Sequence, residues 1–241
     1  MKNYIFMFVC FFAHNAIVQG MQADTTQIVE LFQAIEKPDN ERMKALVNAH
    51  PHMVNTYQRY KGPSHILFGD VTPLHVAVNK DNVDGVNFLL ISKADPNRKT
   101  IDFCEDEDQT PLHFVRSVPV TKVLLQYGAL VDTKNRAGYT PLHTALFHPR
   151  RRYNIEVAQC LVAHGADINQ RHSNSLLNET LLHDAVRAFD SADSTIPFLL
   201  KNGADRTLRN KDGKTPLDLV KNKGMLSSSC NRVVELLEGT Q

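Results

Sequence analysis

The chain has 241 residues, of which 42% are hydrophobic and only 7% are aromatic, and it contains no Trp. A composition this poor in large side chains suits thin layers of Leu, Val and Ala, and implies no large ligand pocket. The 27 basic and 26 acidic residues leave a formal net charge of +1, so there is no global electrostatic reason to expect binding to nucleic acid or to an anionic membrane surface.

The first residues of the chain have the pattern of a secretory leader. A short positively charged start precedes an apolar run from residue 4 to residue 13, and the small residue Gly20 follows. We therefore predict a signal peptide at residues 1–20 and an exported protein, with Ala23 as an alternative cleavage position. The run is too short to span a bilayer comfortably, so the mature chain is expected to have no membrane span. If translation instead starts at Met21, the protein is cytoplasmic.

Residues 24–70 predict two short helices and a long loop. Apolar residues stand at helical spacing from Ile28 to Ile35 and again from Met43 to Val47. This stretch lacks the four-residue motif that opens every later unit, as expected of the terminal unit of a stack, whose outer face meets water. The loop mixes aromatic and basic residues of the kind enriched in protein interfaces. Its candidate partner contacts are Tyr57, Arg59, Tyr60 and Phe68, and packing on the first unit is the alternative.

The motif Thr-Pro-Leu-His opens each unit that follows. It begins at Thr72, Thr110 and Thr140, persists as Thr-Leu-Leu-His from Thr180, and ends as Thr-Pro-Leu-Asp from Thr215. Successive threonines are 38, 30, 40 and 35 residues apart, which indicates a repeat of about 35 residues with loops of variable length. Thr caps the first turn of a helix and Pro suits the first helical position. Each motif therefore predicts the start of a helix pair.

Each unit also closes in a recognisable way. Gly128, Gly165 and Gly203 each follow a second helix, where glycine favours the left-handed conformation that ends it. Glycine-containing turns at 135–138 and 210–213 then precede the next Thr, which is typical of a hairpin tip.

Together these features resemble the ankyrin repeat. The resemblance covers about residues 71 to 238 and, more loosely, the stretch from residue 24. It implies an all-α fold, a solenoid of stacked helix pairs with projecting β-hairpin loops, which we call fingers. On this basis we expect a divergent N-terminal capping repeat with a long finger at 24–70, four ankyrin repeats at 71–213 and a C-terminal capping repeat at 214–241.

Two other charged loops are candidate partner contacts. The second finger has an aromatic residue followed by an acidic tip, and the turn between the helices of the fourth unit carries three arginines. An ordinary solvated surface is the alternative in both places. These candidates are Phe103, Glu105, Asp106, Glu107, Asp108, Arg150, Arg151 and Arg152.

Histidine and cysteine do not indicate a metal site. Four of the 11 histidines, namely His75, His113, His143 and His183, hold the fourth position of the motif and so recur once per layer. The resemblance implies that they bond to the backbone of the neighbouring hairpin. The remaining histidines and the cysteines make no short ligand motif, and no catalytic motif appears. We therefore predict no metal, no cofactor and no enzymatic activity.

The sequence thus favours an exported protein–protein interaction module that binds a protein partner through its fingers and inner helices. The partner's identity is not encoded in any motif, and the protein is expected to be monomeric. Two alternatives stay open: a structural protein that self-associates through its repeat faces, and a small metal-dependent hydrolytic enzyme built from the polar loops.

Overall fold

A computed structural model describes residues 25–61, 68–101, 108–147, 154–172, 177–188, 192–222 and 228–239. The helices are α1 (Thr25–Glu36), α2 (Asn40–Ala49), α3 (Pro73–Asn79), α4 (Val83–Ile91), α5 (Val118–Gln126), α6 (Pro141–Phe147), α7 (Ile155–Ala163), α8 (Leu181–Arg187), α9 (Ala192–Lys201), α10 (Pro216–Asn222) and α11 (Ser228–Glu238). Short 3₁₀ helices span Pro51–Asn55 and Pro111–Phe114.

The helices form antiparallel pairs that stack in line. Within the pairs, α1 packs on α2, α3 on α4, α6 on α7, α8 on α9 and α10 on α11. Between pairs, first helices contact first helices and second helices contact second helices, as α1 contacts α3 and α4 contacts α5. The predicted all-α solenoid of stacked helix pairs is therefore confirmed.

The core runs through the layers as a continuous row of leucines. Leu74, Leu112 and Leu142, at the third motif position of successive units, are fully buried, and Leu182 at the same position of the next unit is 1% exposed. Burial of a leucine side chain contributes roughly 2 kcal/mol relative to exposure. Because each leucine is covered largely by the adjacent layer, the layers stabilise one another.

The third unit is shorter than the others. Its first helix is the single 3₁₀ turn Pro111–Phe114, whereas α3, α6, α8 and α10 each have seven residues. Ser117 caps the second helix only seven residues after Thr110, while Asn82 does so ten residues after Thr72. Three residues fewer correspond to about one helical turn, so the first helix loses its last turn.

Glycine ends three of the second helices as predicted. Gly128, Gly165 and Gly203 have φ angles of 85°, 91° and 88°. The second unit has Lys93 at the same place, with φ of 71°. A side chain with a Cβ is strained in this region, so the second unit carries a local cost that the others avoid.

Two hairpins lie in the fingers. Strands β1 (Gln58–Lys61) and β2 (Phe68–Val71) pair antiparallel, and so do β3 (Arg171–His172) and β4 (Glu179–Thr180). The first hairpin is joined to the second finger at Asp70 and Ile101, whose N–H groups each donate to the other's carbonyl oxygen at 2.8 and 2.9 Å. Adjacent fingers are therefore fixed side by side through their backbones.

None of the helices in the described ranges has the length and apolarity that a membrane span requires.

Candidate functional site

The motif histidine joins its own helix start to the next finger. At His75, Nδ1 lies 3.2 Å from the Thr72 amide nitrogen and 2.8 Å from the Thr72 hydroxyl. The other ring nitrogen, Nε2, lies 3.1 Å from the carbonyl oxygen of Gln109, the residue just before the next motif. Since a carbonyl only accepts, Nε2 carries the proton and Nδ1 accepts from the Thr72 amide. One side chain thus caps a helix and ties two repeats together.

Two other motif histidines repeat this arrangement. Nε2 of His113 donates to the carbonyl oxygen of Tyr139 at 3.0 Å, and Nε2 of His183 donates to that of Lys214 at 3.1 Å. The role that the ankyrin resemblance implied is confirmed at these positions. Burial lowers the pKa of His75 and of His113 to about 4, because the buried ring loses the hydration of its charged form. The rings therefore stay neutral at pH 7.

The aspartate of the last motif keeps only the local half of this role. The Thr215 N–H donates to Oδ2 of Asp218 at 2.9 Å, and the Asp218 N–H donates to Oγ1 of Thr215 at 3.2 Å. This is a reciprocal capping box. A carboxylate is too short to reach a further finger, so the histidine is needed only where one repeat is tied to the next.

At His143 the predicted bond to the hairpin backbone is wrong. Its Nδ1 lies 2.9 Å from Oγ1 of Thr140, as in the other motifs, but Nε2 makes no hydrogen bond within the described chain, although the side chain is buried. The finger beyond it is the β3–β4 hairpin. There His172 presents its ring to His143 instead of a carbonyl oxygen, with the ring centroids 5.0 Å apart.

His143, His172 and Asp184 form a compact polar cluster. One ligand atom from each lies within 4.8 Å of the other two. His172 is 2% exposed, and its Nε2 lies 2.7 Å from Oδ2 of Asp184 without the angles of a hydrogen bond. The ring of Tyr139 covers both imidazoles, with its centroid 5.5 Å from that of His143 and 5.0 Å from that of His172.

Electrostatics keep His143 in its neutral form. Burial lowers the pKa of His143 well below its usual value, and the nearby His172 and Lys134 lower it further. A neutral imidazole with an unshared electron pair is the form that binds metal ions.

The sequence analysis did not find this cluster. His143 was assigned to the repeat, while His172 and Asp184 are 29 and 41 residues further along the chain and share no short ligand motif with it. The sequence contained one signal that could have located the cluster. The residue after the fourth motif position is Val76, Phe114, Thr144 or Leu219 in the other units, and Asp184 is the acidic exception.

Of the candidate contacts in the first finger, Tyr57 packs against the second finger, whereas Arg59 is about half exposed. The hydroxyl of Tyr57 donates to the carbonyl oxygen of Lys99 at 2.8 Å, and the guanidinium of Arg98 lies 4.9 Å from its ring centroid. Burial raises the pKa of this phenol. Arg59 keeps 48% of its side chain exposed, with Nη1 3.9 Å from Oδ1 of Asp70. Tyr60 belongs to β1 and Phe68 to β2.

Most candidates in the other two loops fall outside the described ranges. Asp108 is half-buried at the end of the second finger, with φ of 62°. The predicted contacts outside those ranges are Phe103, Glu105, Asp106, Glu107, Arg150, Arg151 and Arg152.

Comparison with known proteins agrees with this architecture. A family model described as ankyrin repeat matches residues 70–101, and a model of three ankyrin repeats matches residues 98–172. A TRPA1 cation channel homologue of Caenorhabditis elegans is 30% identical over 151 residues, which are 61% of this chain and 12% of that protein. A putative ankyrin repeat protein of Rickettsia bellii is 29% identical over 129 residues, which are 50% of this chain and 34% of that protein.

A third relative, a putative palmitoyltransferase ZDHHC13 of Danio rerio, is 27% identical over 202 residues, which are 80% of this chain and 30% of that protein. The chain therefore spans about a third or less of the length of these curated relatives. Residues 70–172 are ankyrin repeats, a protein–protein interaction module that is generally not enzymatic.

Proposed function

We propose that this protein is an exported interaction module that binds a protein partner along the edge formed by its first two fingers. The observation that carries the proposal is the pair of backbone hydrogen bonds between Asp70 and Ile101, at 2.8 and 2.9 Å. These bonds join two fingers into one preorganised edge. A preorganised surface loses less conformational entropy when it binds.

The edge presents both apolar and cationic surface. Ile101 is 45% exposed, which is unusual for a large aliphatic residue held in a backbone pairing. Arg59 lies on β1 opposite Asp70, the residue that pairs with Ile101, and about half of its side chain is exposed. Exposed aliphatic and arginine side chains on one edge are a combination from which interface anchors are built. Tyr57 adds a second link between the two fingers, because its hydroxyl donates to the carbonyl oxygen of Lys99.

Affinity capture with the full chain tests this proposal. We expect Ile101→Asp and Arg59→Ala each to reduce recovery of the partner at least tenfold, which corresponds to the loss of about 1.4 kcal/mol of binding free energy. Val29→Asp is the matched control, because Val29 is a 40% exposed aliphatic residue on α1, outside the fingers. All variants are first compared by circular dichroism and urea unfolding.

Three outcomes separate the possibilities. Loss of the partner from the finger variants, with retention by the Val29 variant, supports the proposed edge. Retention by all variants means that the first two fingers only pack against each other. Loss from the Val29 variant alone places the interface on the first helix pair instead.

Export is the second part of the proposal and rests on the N-terminal sequence pattern. We expect the full chain, expressed in a secreting host, to reach the medium and to begin at Met21 or Asp24. Phe8→Asp interrupts the apolar run and should leave the unprocessed protein inside the cell. Wild-type protein that stays inside the cell with its first 20 residues attached would contradict a signal peptide there.

We further infer that the protein acts as a monomer and without catalysis. Gel filtration over a wide concentration range tests the first point, because self-association through repeat faces would shift the elution volume. A hydrolase screen of the purified chain tests the second, and turnover that Asp184→Asn abolishes would favour the metal-dependent enzyme.

A further inference from the structure

We propose that His143, His172 and Asp184 bind one divalent transition-metal ion, and that the ion fixes the β3–β4 finger against α6 and α8. Zinc is the ion that these residues suit best. Two imidazoles and one carboxylate are a common zinc ligand set, and together with Zn²⁺ they leave a single net positive charge. The three residues come from α6, β3 and α8, so a bound ion would join three separate elements.

The spacing of the donors is close to that of a bound ion. Zinc–nitrogen and zinc–oxygen bonds of about 2.0–2.2 Å place tetrahedral ligand atoms roughly 3.3 Å apart. Here the ligand atoms lie within 4.8 Å of one another, and Nε2 of His172 lies 2.7 Å from Oδ2 of Asp184. The farthest pair of ligand atoms would have to approach by at most about 1.5 Å to reach the tetrahedral spacing.

Buried nitrogens without partners are the second, independent observation. Nε2 of His143 and Nδ1 of His172 make no hydrogen bond within the described ranges, Nε2 of His172 has the Asp184 carboxylate at 2.7 Å, and both side chains are only 2% exposed. Buried polar atoms are normally paired, because leaving one unpaired costs the full desolvation of the group. A direct pairing of His172 with Asp184 would leave His143 unexplained, whereas a shared ion would give one nitrogen of each ring a partner.

The hydrogen bonds around His143 oppose the tautomer that binds metal less strongly than those around the other motif histidines. The distance from the motif Thr amide nitrogen to the histidine Nδ1 is 3.2, 3.1 and 3.3 Å in the other three histidine motifs, but 3.5 Å at Thr140 and His143. Nδ1 still lies 2.9 Å from Oγ1 of Thr140. It can therefore donate its proton to that hydroxyl and leave Nε2 free for the ion, as metal-bound histidines usually do.

The cluster lies at the loosest joint of the stack. First helices of adjacent repeats pack closely elsewhere, as α3 does on the 111–114 turn and α8 on α10, but α6 and α8 approach each other less closely. The second helices α7 and α9 show the same difference. An ion held by α6 and α8 would add a direct link between these two helices.

The surroundings favour four ligands over six. Tyr139 covers one side of both imidazoles, with ring centroids 5.0 and 5.5 Å away. Only Asp184, whose side chain is 22% exposed, opens toward solvent. This leaves room for one water as a fourth ligand, which suits a tetrahedral ion better than an octahedral one.

Metal titration of the full chain without a polyhistidine tag tests the proposal. Zn²⁺ alone is titrated calorimetrically into protein pretreated with chelator, and Co²⁺ is used to report coordination through its visible spectrum. We expect one ion per chain, an intense tetrahedral Co²⁺ spectrum and a higher melting temperature with Zn²⁺. Asp184→Asn and His172→Asn should each weaken binding at least about 100-fold, beyond the range seen for changes behind the ligands.

His52→Asn is the matched control, because His52 is an exposed histidine in the 51–55 turn, three repeats away. It should leave affinity, spectrum and melting temperature unchanged. If one ligand variant fails to fold by circular dichroism, the other carries the test. The proposal is overturned if wild-type protein binds no stoichiometric ion, or if Zn²⁺ binds both ligand variants as tightly as the wild type. In either case the cluster is only a buried His–Asp pair beside an unpaired imidazole.

Discussion

Nε2 of His113 lies 3.0 Å from the carbonyl oxygen of Tyr139, in the finger of the following repeat. Because that bond and the capping bond to Thr110 require a neutral, buried ring, the contact between repeats depends on the protonation of the histidine. His75 makes the same pair of bonds one repeat earlier. The stack is therefore linked through side chains that ordinarily titrate near pH 6.5.

We predict that the free energy of unfolding falls as the pH drops from 6.5 toward 4. The unfolded chain binds protons on His75 and His113 near pH 6.5, whereas burial lowers the pKa of each to about 4 in the folded protein. The unfolded state thus gains protons first, and stability falls with pH throughout this window. Between pH 7.5 and pH 5.0 the loss is about 2 kcal/mol for each of the two histidines. Urea unfolding at the two pH values measures it.

The His113→Asn variant measures how much a single histidine contributes to this pH dependence. The variant is less stable than the wild type at both pH values because it loses the hydrogen bond to the next finger. Between pH 7.5 and pH 5.0, however, its free energy of unfolding should fall by about 2 kcal/mol less than that of the wild type. An unchanged pH dependence in this variant would show that His113 titrates normally in the folded protein. Aspartates with a lowered pKa, such as Asp218, lose their contribution only at still lower pH.

The repeat architecture could be predicted from the sequence because its signals are local. Thr72 and Pro73 start a helix within one turn, and Gly165 ends one through its own backbone freedom. The cluster at His143 could not be predicted in this way. It depends on how β3 and α8 meet α6, a contact between residues far apart in sequence that no single motif contains.

We predict that Glu179→Gln lowers the free energy of unfolding by about 1.5–3 kcal/mol. Glu179 is 2% exposed and accepts from Nη2 of Arg187 at 2.6 Å and from Nδ2 of Asn210 at 3.0 Å. Burial alone raises its pKa, but these hydrogen bonds outweigh burial and leave the pKa lowered. The loss should appear in urea unfolding at pH 7 with chelator present, since Glu179 pairs with His172 in the hairpin.

Glu30→Gln is the control for burial. Glu30 also lies 2.6 Å from an arginine, Arg42, but both side chains are well exposed. Exposed pairs contribute about 0–1 kcal/mol, so this change should be nearly neutral. Equal losses in the two variants would mean that burial adds nothing to the Glu179 pair.

We predict that Lys93→Gly stabilises the protein by about 0.5–1 kcal/mol. Lys93 has φ of 71° at the position that Gly165 occupies two repeats later, and relief of that strain exceeds the entropy cost of glycine. The matched reverse change is Gly165→Ala. A Cβ there meets no atom within 4 Å, so its expected cost of about 1–2 kcal/mol comes from the backbone alone. Thermal unfolding of both variants tests this, and destabilisation by Lys93→Gly would contradict it.

We predict that Asp132→Asn stabilises the joint between the third and fourth repeats by about 1 kcal/mol. At the equivalent place in the preceding repeat, the Asn97 amide donates to the carbonyl oxygen of Gly128 at 2.9 Å and accepts from the Leu130 N–H at 2.8 Å. Asp132 accepts from the Asp167 N–H at 3.1 Å but, as a carboxylate, has no proton to donate.

An asparagine at 132 would supply the missing donor for the carbonyl of Gly165 and remove a negative charge from beside Asp167. That charge is already disfavoured, because burial raises the pKa of Asp132 and the neighbouring Asp167 raises it further, against an opposing hydrogen bond from the Asp167 N–H. The converse change, Asn97→Asp, should cost about as much as Asp132→Asn gains. Urea unfolding at pH 7 measures the stability of both variants. If Asp132→Asn does not stabilise the protein, or if Asn97→Asp stabilises it as well, these side chains do not link one repeat to the next.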